Sequence, residues 1–232
     1  MQKPVDALVT PATTIYFVRH GETSENARQI VQGQVIDSPL NERGFTQVEA
    51  VGRRLANVAL DCVYASTLLR ARQTADAMRV HHPGVPLVLL PGLMEMSFGV
   101  LEGQSYAGEN TTFFKWLGSR WADGQFGDRV DGGESVIDVR DRAIATLDHI
   151  VTRSSGKSVA VVTHGRFLRI LLATILDDYS LDVMDELLHT NTAVSEIVHR
   201  DGGFVAKYVA SDEHVAELAA PRYASSETGD AA

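Results

Sequence analysis

Residues 15–18, Ile-Tyr-Phe-Val, form an apolar run that stops abruptly at Arg19, His20 and Gly21. A β-prone run that ends at a glycine is typical of a buried strand whose last residues reach the edge of a sheet. In open α/β sheets, ligands bind at the edge formed by the carboxyl ends of the strands. Arg19 offers a fork of donors suited to a phosphate, His20 offers a nitrogen nucleophile, and Gly21 lets an anion approach the backbone. This stretch therefore predicts an anion site built around His20.

Apolar runs and helical patterns alternate along the rest of the chain. Further strands are predicted at residues 61–66, 85–90, 158–163, 194–199 and 204–209, the last two forming a hairpin. Helices are predicted after Asn41, with Phe45, Val48, Val51 and Leu55 facing inward, and also over residues 67–82, after Ser135 and over residues 165–176. We therefore predict an α/β fold, a three-layer αβα sandwich whose mostly parallel central sheet has about six strands, one of them antiparallel.

The domain organisation follows from where these patterns begin and end. Residues 1–12 are predicted to be a flexible leader, residues 13–212 a single domain, and residues 213–232 a flexible polar tail. Residues 96–134 are rich in glycine and aromatic residues but show no clean period. We expect this segment to be a lid insertion of short helices and loops over the sheet edge.

The composition limits the classes of molecule that this protein is expected to bind. The net charge of −9 argues against nucleic acid, because phosphate backbones select basic surfaces. It leaves room for a small phosphorylated substrate, since a local cluster of arginines sets the field inside a cleft. No run approaches the ~18 apolar residues of a membrane helix, and the leader lacks the pattern of a signal peptide. The single cysteine, Cys62, rules out an internal disulfide. A cytoplasmic protein with no membrane partner is expected.

A second strand ends in the same way as the first, because residues 158–163 are followed by His164 and Gly165. In a parallel sheet both histidines would lie at one edge, next to helix N-termini that favour an anion. The alternative is two unrelated histidines, one in the core and one exposed. Arg70 and Arg72 follow another strand within the first turn of a helix, where cations are unfavourable unless an anion binds in front of them. We expect Arg70 to face the site and Arg72 to face solvent.

Six short motifs stand in order along the chain. They are Arg19-His-Gly-Glu-Thr23 with Asn26, Gly33 with Leu40, Gly44 and Gln47, Ser66-Thr-Leu-Leu-Arg-Ala-Arg-Gln-Thr74, Leu93-Met-Glu-Met-Ser-Phe-Gly-Val-Leu-Glu-Gly103, Gly133-Glu-Ser135, and Thr163-His-Gly165. Together they make the chain resemble the histidine phosphatase superfamily, in its phosphoglycerate-mutase-like branch. The resemblance spans about residues 15–214, nearly the whole chain.

The resemblance implies a phosphoryl-transfer site that needs no metal and no other cofactor. Its catalytic residues would be His20 as the nucleophile that becomes phosphohistidine, Glu95 as the proton donor, and His164, which would hold phosphate oxygens together with Arg19, Asn26 and Arg70. The arginines penalise a second positive charge, so they should keep His20 neutral. The remaining histidines show no spacing typical of zinc ligands.

Other polar residues near these motifs receive structural interpretations. Glu22 is the rival acid but is ranked as structural, and Glu102 is expected to fix its own loop. Glu134 either orients a site residue or simply begins a helix, and the second interpretation is favoured because a carboxylate suits the helix dipole there. Four aromatic residues of the insertion either form its own small core, which is favoured, or line a lid over the leaving group. They are Phe113, Phe114, Trp116 and Trp121.

We predict a metal-independent phosphatase that hydrolyses a small phosphomonoester. A phosphoglycerate-mutase-type phosphotransferase is the first alternative, but the resembling mutases hold the substrate carboxylate with adjacent arginines. Here the corresponding segment has only isolated cations, namely Lys115, Arg120 and Arg129. The second alternative is a catalytically silent phosphate-binding or partner-binding module, which the intact His20, Glu95 and His164 disfavour. The natural substrate and a homo-oligomeric state are left open.

Overall fold

The computed structural model describes residues 11–106 and 109–219. Most of the predicted leader and residues 220–232 of the predicted tail lie outside this range. Six strands form one sheet in the order β3-β2-β4-β1-β5-β6. Their bounds are β1 Thr13–Arg19, β2 Cys62–Ala65, β3 Leu87–Leu89, β4 Ser158–Thr163, β5 Val194–Arg200 and β6 Gly203–Ser211.

The direction of the strands confirms the predicted mixed sheet. β1 pairs in parallel with β4, and β2 pairs in parallel with both β4 and β3. β5 is antiparallel to both of its neighbours, β1 and β6, so it is the one strand that runs against the other five. Since β1 and β4 are parallel neighbours with Arg19 opposite Thr163, the residues that follow them meet at the same edge.

Helices cover both faces of the sheet, as the three-layer prediction requires. Their bounds are α1 Ser24–Ala27, α2 Glu42–Leu55, α3 Leu69–Arg79, α4 Glu109–Ala122, α5 Val136–Arg153 and α6 Gly165–Ile175. The side chains of β4 alternate between the two layers, because Val159 and Val161 join the core under α5 and α6, whereas Ala160 and Val162 join the core under α2 and α3. Within the described residues, no helix is both long enough and apolar enough to cross a membrane.

The predicted caps Asn41 and Ser135 are confirmed, the helix predicted over residues 67–82 is shorter, at Leu69–Arg79, and one predicted core residue is wrong. Asn41 caps α2 by accepting a hydrogen bond from the backbone N–H of Gly44 at 2.7 Å, and Ser135 caps α5 in a reciprocal pair with Asp138. Phe45 is 49% exposed instead of buried. The first turn of α2 packs through the neighbouring Gly44, which turns Phe45 outward.

The insertion and the tail both differ from the prediction. The insertion contains a full helix, α4, in addition to short 3-10 turns, because Leu117 and Trp121 bury one face of it in the main core. Trp116 lies on the exposed side of the same helix. The predicted tail is wrong for its first seven residues, since Glu213–Ala219 form a 3-10 helix that packs against α2 and buries Val215.

Two glycines bring α2 into contact with the loop that carries His20. A Cβ atom on Gly21 would lie 2.9 Å from the carbonyl oxygen of Gly44, and one on Gly44 would lie 2.1 Å from the carbonyl oxygen of Glu22. The obstacle at Gly44 is backbone, which cannot rotate away as a flexible side chain would. The close approach of these two segments therefore requires glycine at position 44.

We expect Gly44→Ala to lower the free energy of unfolding by about 1–3 kcal/mol, because the added methyl group forces α2 away from the loop. Urea unfolding followed by circular dichroism measures the change. Gly127→Ala is the matched control, since a Cβ atom there meets nothing within 4 Å and the backbone is not left-handed. Equal unfolding midpoints for the two variants would contradict this packing.

Candidate active site

The two histidines predicted to meet do lie side by side. His20 follows β1 and His164 follows β4, and both are at least 98% buried. Their ring centroids are 5.1 Å apart with the ring planes inclined at 57°. The prediction that parallel strands bring the two rings to one sheet edge is confirmed.

Hydrogen bonding fixes the tautomer of His20. Its Nδ1 lies 2.7 Å from the carbonyl oxygen of Gly21. A carbonyl oxygen only accepts, so Nδ1 carries the hydrogen and Nε2 carries the free lone pair. Burial, followed by the charges of Arg70 and Arg19, lowers the pKa of His20 well below its ordinary value of 6.5. The ring is therefore neutral near pH 7, with Nε2 available as a nucleophile.

Arg19 is held over the start of α6. One terminal nitrogen donates to the carbonyl oxygen of His189, and Nε lies 3.2 Å from the position that a Cβ atom on Gly165 would occupy. Burial lowers the pKa of Arg19 to about 10, so the guanidinium stays charged at neutral pH. Its Nε is buried and has no hydrogen-bond partner among the described residues.

Arg70 points inward and Arg72 is exposed, as predicted. The guanidinium of Arg70, which is 1% exposed, donates to the carbonyl oxygens of Gly33 at 2.8 Å and Ile36 at 3.2 Å. Its Nε is buried without a partner in the described part of the chain. These contacts anchor the side chain and leave one donor unpaired.

His164 and Asn26 complete the predicted group around His20. Nε2 of His164 lies 2.8 Å from the hydroxyl oxygen of Ser66, whereas its Nδ1 is buried and unpaired within residues 11–106 and 109–219. Burial, followed by the charge of Arg70, lowers the pKa of His164 well below 6.5. The side-chain oxygen of Asn26 caps α1 at the N–H of Thr23, so its amide N–H groups remain as donors.

Glu95 meets the N-terminus of α6. Its carboxylate accepts backbone hydrogen bonds from Arg166 at 3.1 Å and from Phe167 and Met96 at 2.9 Å each. Unpaired N–H groups at a helix start are a favourable place for a carboxylate. Glu95 is therefore fixed beside His164, the residue that caps the same helix.

Arg142 and Glu134 hold the loop that carries Glu95. The guanidinium of Arg142 donates to the carbonyl oxygens of Gly92, Met94 and Glu95 at 2.7–3.0 Å. Glu134 binds the same guanidinium through both carboxylate oxygens, at 2.7 and 3.0 Å. The favoured interpretation of Glu134 as a mere helix start is therefore wrong, because its carboxylate helps to position the loop of the acid.

The other two acids behave as predicted. Glu22 accepts a hydrogen bond from Asn41 at 2.9 Å and pairs with Arg43 at 3.5 Å. Glu102 accepts hydrogen bonds from the backbone N–H groups of Gln34, Val35 and Phe98 and therefore ties two loops together.

Several of the predicted site residues, but not His164, line a cavity of about 360 Å³, a size suited to a small ligand. Of the predicted site residues, the cavity is lined by Arg19, His20, Asn26, Arg70 and Glu95. It is also lined by Phe114, which the sequence offered as a possible lid residue, and by residues that the sequence did not indicate, among them Tyr106, Arg166, Arg169 and Asn191. In the described part of the chain, no group of three or more His, Cys, Asp or Glu side chains is placed to hold a metal ion.

Asn191, Arg166 and Arg169 are three polar residues among those that the sequence did not indicate. The side chain of Asn191 donates to the carbonyl oxygen of His20 at 3.0 Å, which helps to hold the loop after β1. Arg166 and Arg169 lie three residues apart on α6, so they share one helix face. Their spacing directly after the His-Gly motif is visible in the sequence, but it does not show whether this helix face meets the cavity or the solvent.

The buried, neutral state of the two histidines predicts how they titrate. We expect both rings to stay neutral as the pH falls through 6.5, because their folded pKa values are lowered. Unfolding returns each pKa to about 6.5, so below that pH the unfolded chain binds protons that the folded chain does not. The free energy of unfolding should therefore decrease as the pH falls from 6.5 toward the folded values.

Nitrogen NMR of the histidine rings measures this titration, with the signals assigned from the His20→Asn and His164→Asn variants. Urea unfolding at pH 7 and pH 5.5 measures the change in stability. A ring signal of either histidine that becomes cationic with a midpoint near 6.5 would contradict the described environment.

Comparison with known proteins identifies a family that matches this sequence. The sequence-family model of the histidine phosphatase superfamily (branch 1) matches residues 15–212. A similar protein, the probable phosphoglycerate mutase GpmB of Erwinia tasmaniensis, is 33% identical over 195 residues, which cover 83% of this chain and 87% of that relative.

Solved structures show the same fold. YhfR of Bacillus stearothermophilus superposes with a TM-score of 0.77 at 30% identity and covers 88% of this chain and 99% of its own. A phosphoserine phosphatase from Entamoeba histolytica, solved with phosphoserine, also gives a TM-score of 0.77, with 22% identity and the same coverage. At that lower identity the likeness concerns the fold alone.

Proposed function

This chain belongs to the histidine phosphatase superfamily, branch 1, and on that premise we propose that it is a phosphoric monoester hydrolase that acts through a phosphohistidine at His20. The observation that carries the proposal is the neutral Nε2 of His20 in the same cavity as Arg19 and Arg70, whose buried Nε donors are unpaired within the described residues, with the unpaired Nδ1 of His164 on the neighbouring ring. Unpaired buried donors are rare in folded proteins, and the charges of these two arginines act on His20. A phosphate group supplies the acceptor oxygens that they lack.

In the first step, the Nε2 lone pair of His20 attacks phosphorus and the bond from phosphorus to the ester oxygen breaks. Arg19, Arg70 and His164 bind the other phosphate oxygens and stabilise their charge, which is the main requirement of phosphoryl transfer. The hydrogen bond from Nδ1 of His20 to the carbonyl oxygen of Gly21 stabilises the positive charge that develops on the ring.

Glu95 serves as the acid in the first step and the base in the second. Its carboxyl group gives a proton to the leaving oxygen as the ester bond breaks. Water then attacks the phosphohistidine while the Glu95 carboxylate accepts a proton from it. The phosphorus–nitrogen bond breaks, inorganic phosphate forms, and both side chains return to their starting states.

A phosphoglycerate mutase is the second candidate, and one observation favours it. The insertion lacks adjacent arginines for a second substrate anion, but Arg166 and Arg169 on α6 line the same cavity as His20. The cations of the insertion do not take this place, since Lys115 is exposed and Arg120 and Arg129 pair with Asp128 and Asp138.

Incubation with a panel of small phosphomonoesters in the presence of a chelator separates these activities. We expect inorganic phosphate and the free alcohol to form in equal amounts. Conversion of 3-phosphoglycerate to its 2-isomer without net phosphate release would identify a mutase. Phosphate binding without either reaction would identify a silent module. The cytoplasmic location and the independence from metals stay predictions from the sequence, and the oligomeric state stays open.

A further inference from the structure

Arg166 and Arg169 are placed on the acid side of the cavity. Both side chains line it together with His20, and the backbone N–H of Arg166 binds the carboxylate of Glu95. Because Glu95 is the proposed donor to the leaving oxygen, these two arginines lie on the side where the rest of the substrate must sit. Unlike Arg19 and Arg70, which are anchored by backbone carbonyl oxygens, these two arginines are held by a carboxylate.

One carboxylate serves both guanidinium groups. Asp185 accepts a hydrogen bond from Arg166 and another from Arg169, the latter at 3.1 Å. In the insertion, by contrast, Arg120 and Arg129 each have a carboxylate of their own, at 2.6 and 2.8 Å. The pair on α6 therefore keeps one positive charge that Asp185 does not balance.

The two side chains are held in place instead of moving freely in solvent. They are only 20% and 22% exposed, and the guanidinium of Arg166 lies 5.1 Å from the ring centroid of the buried Trp121. Nε of Arg169 is buried and has no hydrogen-bond partner within the described ranges. Holding two like charges together is unfavourable, and burial and the charge of Arg166 accordingly lower the pKa of Arg169.

A purely structural role accounts for only part of this arrangement. One arginine paired with Asp185 would dock α6 on the 3-10 helix Leu181–Glu186. A second arginine on the same carboxylate, facing a cavity with an unpaired donor, adds repulsion unless an anion binds there. The insertion lacks a comparable free pair of cations in its described part, so α6 is where the substrate would find one.

The geometry points to a second anion subsite formed by Arg166 and Arg169, which binds a phosphate or carboxylate group on the leaving-group part of the substrate. This inference rests on the proposed function, since it assumes that His20 takes the other phosphate. It names the substrate class as small phosphomonoesters that carry two anionic groups.

Ligand binding to the His20→Ala variant tests the subsite without turnover. Calorimetry compares three probes: glycerol phosphate with one anionic group, phosphoglycerate with an added carboxylate, and propanediol bisphosphate with an added phosphate. We expect at least one doubly anionic probe to bind more tightly than glycerol phosphate. Adding Arg169→Gln or Arg166→Gln should weaken that probe by about ten- to one-hundredfold more than glycerol phosphate, the range for charged hydrogen bonds.

Arg120→Gln is the matched control, because this arginine pairs with Asp128 and lies outside the cavity. It should leave the ratio of affinities between the probes unchanged, and Arg169→Lys should restore part of the preference that Arg169→Gln removes. A preference for phosphoglycerate alone identifies a carboxylate subsite, and one for the bisphosphate alone identifies a phosphate subsite.

Equal affinities for all three probes, or equal losses for all three in the arginine variants, would overturn the subsite. Failure of the proposed function has a different signature. In that case the wild-type protein releases no phosphate from any monoester, including an aryl phosphate, whatever the binding data show.

Discussion

Replacing His20 with alanine is expected to lower kcat for phosphomonoester hydrolysis by about 10³-fold or more, because the covalent intermediate can no longer form. The remaining cations still bind phosphate, so the affinity for inorganic phosphate should change far less than kcat. Steady-state kinetics and calorimetry on the same preparation measure the two quantities.

His149→Ala is the control for this variant, because His149 lies exposed on α5, outside the cavity. It should hydrolyse the same substrate at the wild-type rate. Retention of more than a tenth of the wild-type kcat in His20→Ala would rule out His20 as the required nucleophile.

Replacing Glu95 with glutamine is expected to have the second largest effect, and its size should depend on the leaving group. The oxygen of glutamine can keep the hydrogen bonds from the N–H groups of Met96 and Phe167, but the amide loses the one from Arg166 and cannot give up a proton. Alkyl phosphates, whose alkoxide leaves poorly, should lose about 10²–10⁴-fold in kcat/KM. Aryl phosphates, whose phenoxide leaves without protonation, should lose much less in the phosphorylation step.

Glu22→Gln is the matched control, since Glu22 is the neighbouring acid and instead contacts Asn41 and Arg43. Its kinetics should show no dependence on the leaving group. If Glu95→Gln slowed alkyl and aryl phosphates equally, or if Glu22→Gln alone discriminated between them, the assignment of the proton donor would be wrong. Thermal unfolding of both variants checks that the fold is retained.

The sequence alone predicts those contacts that follow from the direction of neighbouring strands. His20 and His164 each end a strand, and the ends of neighbouring parallel strands must meet, so their proximity could be predicted from the pattern alone. Arg70 could be predicted for a similar reason, because cations in the first turn of a helix need an anion in front of them.

Other positions depend on contacts between side chains that are far apart in the chain. Glu95 lies in a loop without periodicity, and only the family resemblance indicated it. Its loop is held by Arg142, which lies 47 residues away, and Arg142 in turn is held by Glu134. No local pattern encodes such a contact, which is why the interpretation of Glu134 was wrong.

The sequence pattern also could not show which polar helix faces are exposed to solvent. The arginines of α6 resemble an ordinary solvated face, but Asp185 and Trp121 enclose that face beside the cavity. Phe45 shows the opposite error, because the apolar stripe of α2 predicts burial while the close contact at Gly44 rotates Phe45 outward.

Phosphorylation of His20 is tested most directly by mixing the wild-type protein with an excess of an aryl phosphate, quenching in alkali within milliseconds, and mapping the phosphoryl group by peptide mass spectrometry. The expected result is an acid-labile, alkali-stable phosphoryl group on the peptide that contains His20, formed as fast as the first equivalent of phenol is released. Release of phenol without protein phosphorylation, or a phosphoryl group on any other residue, would contradict the mechanism.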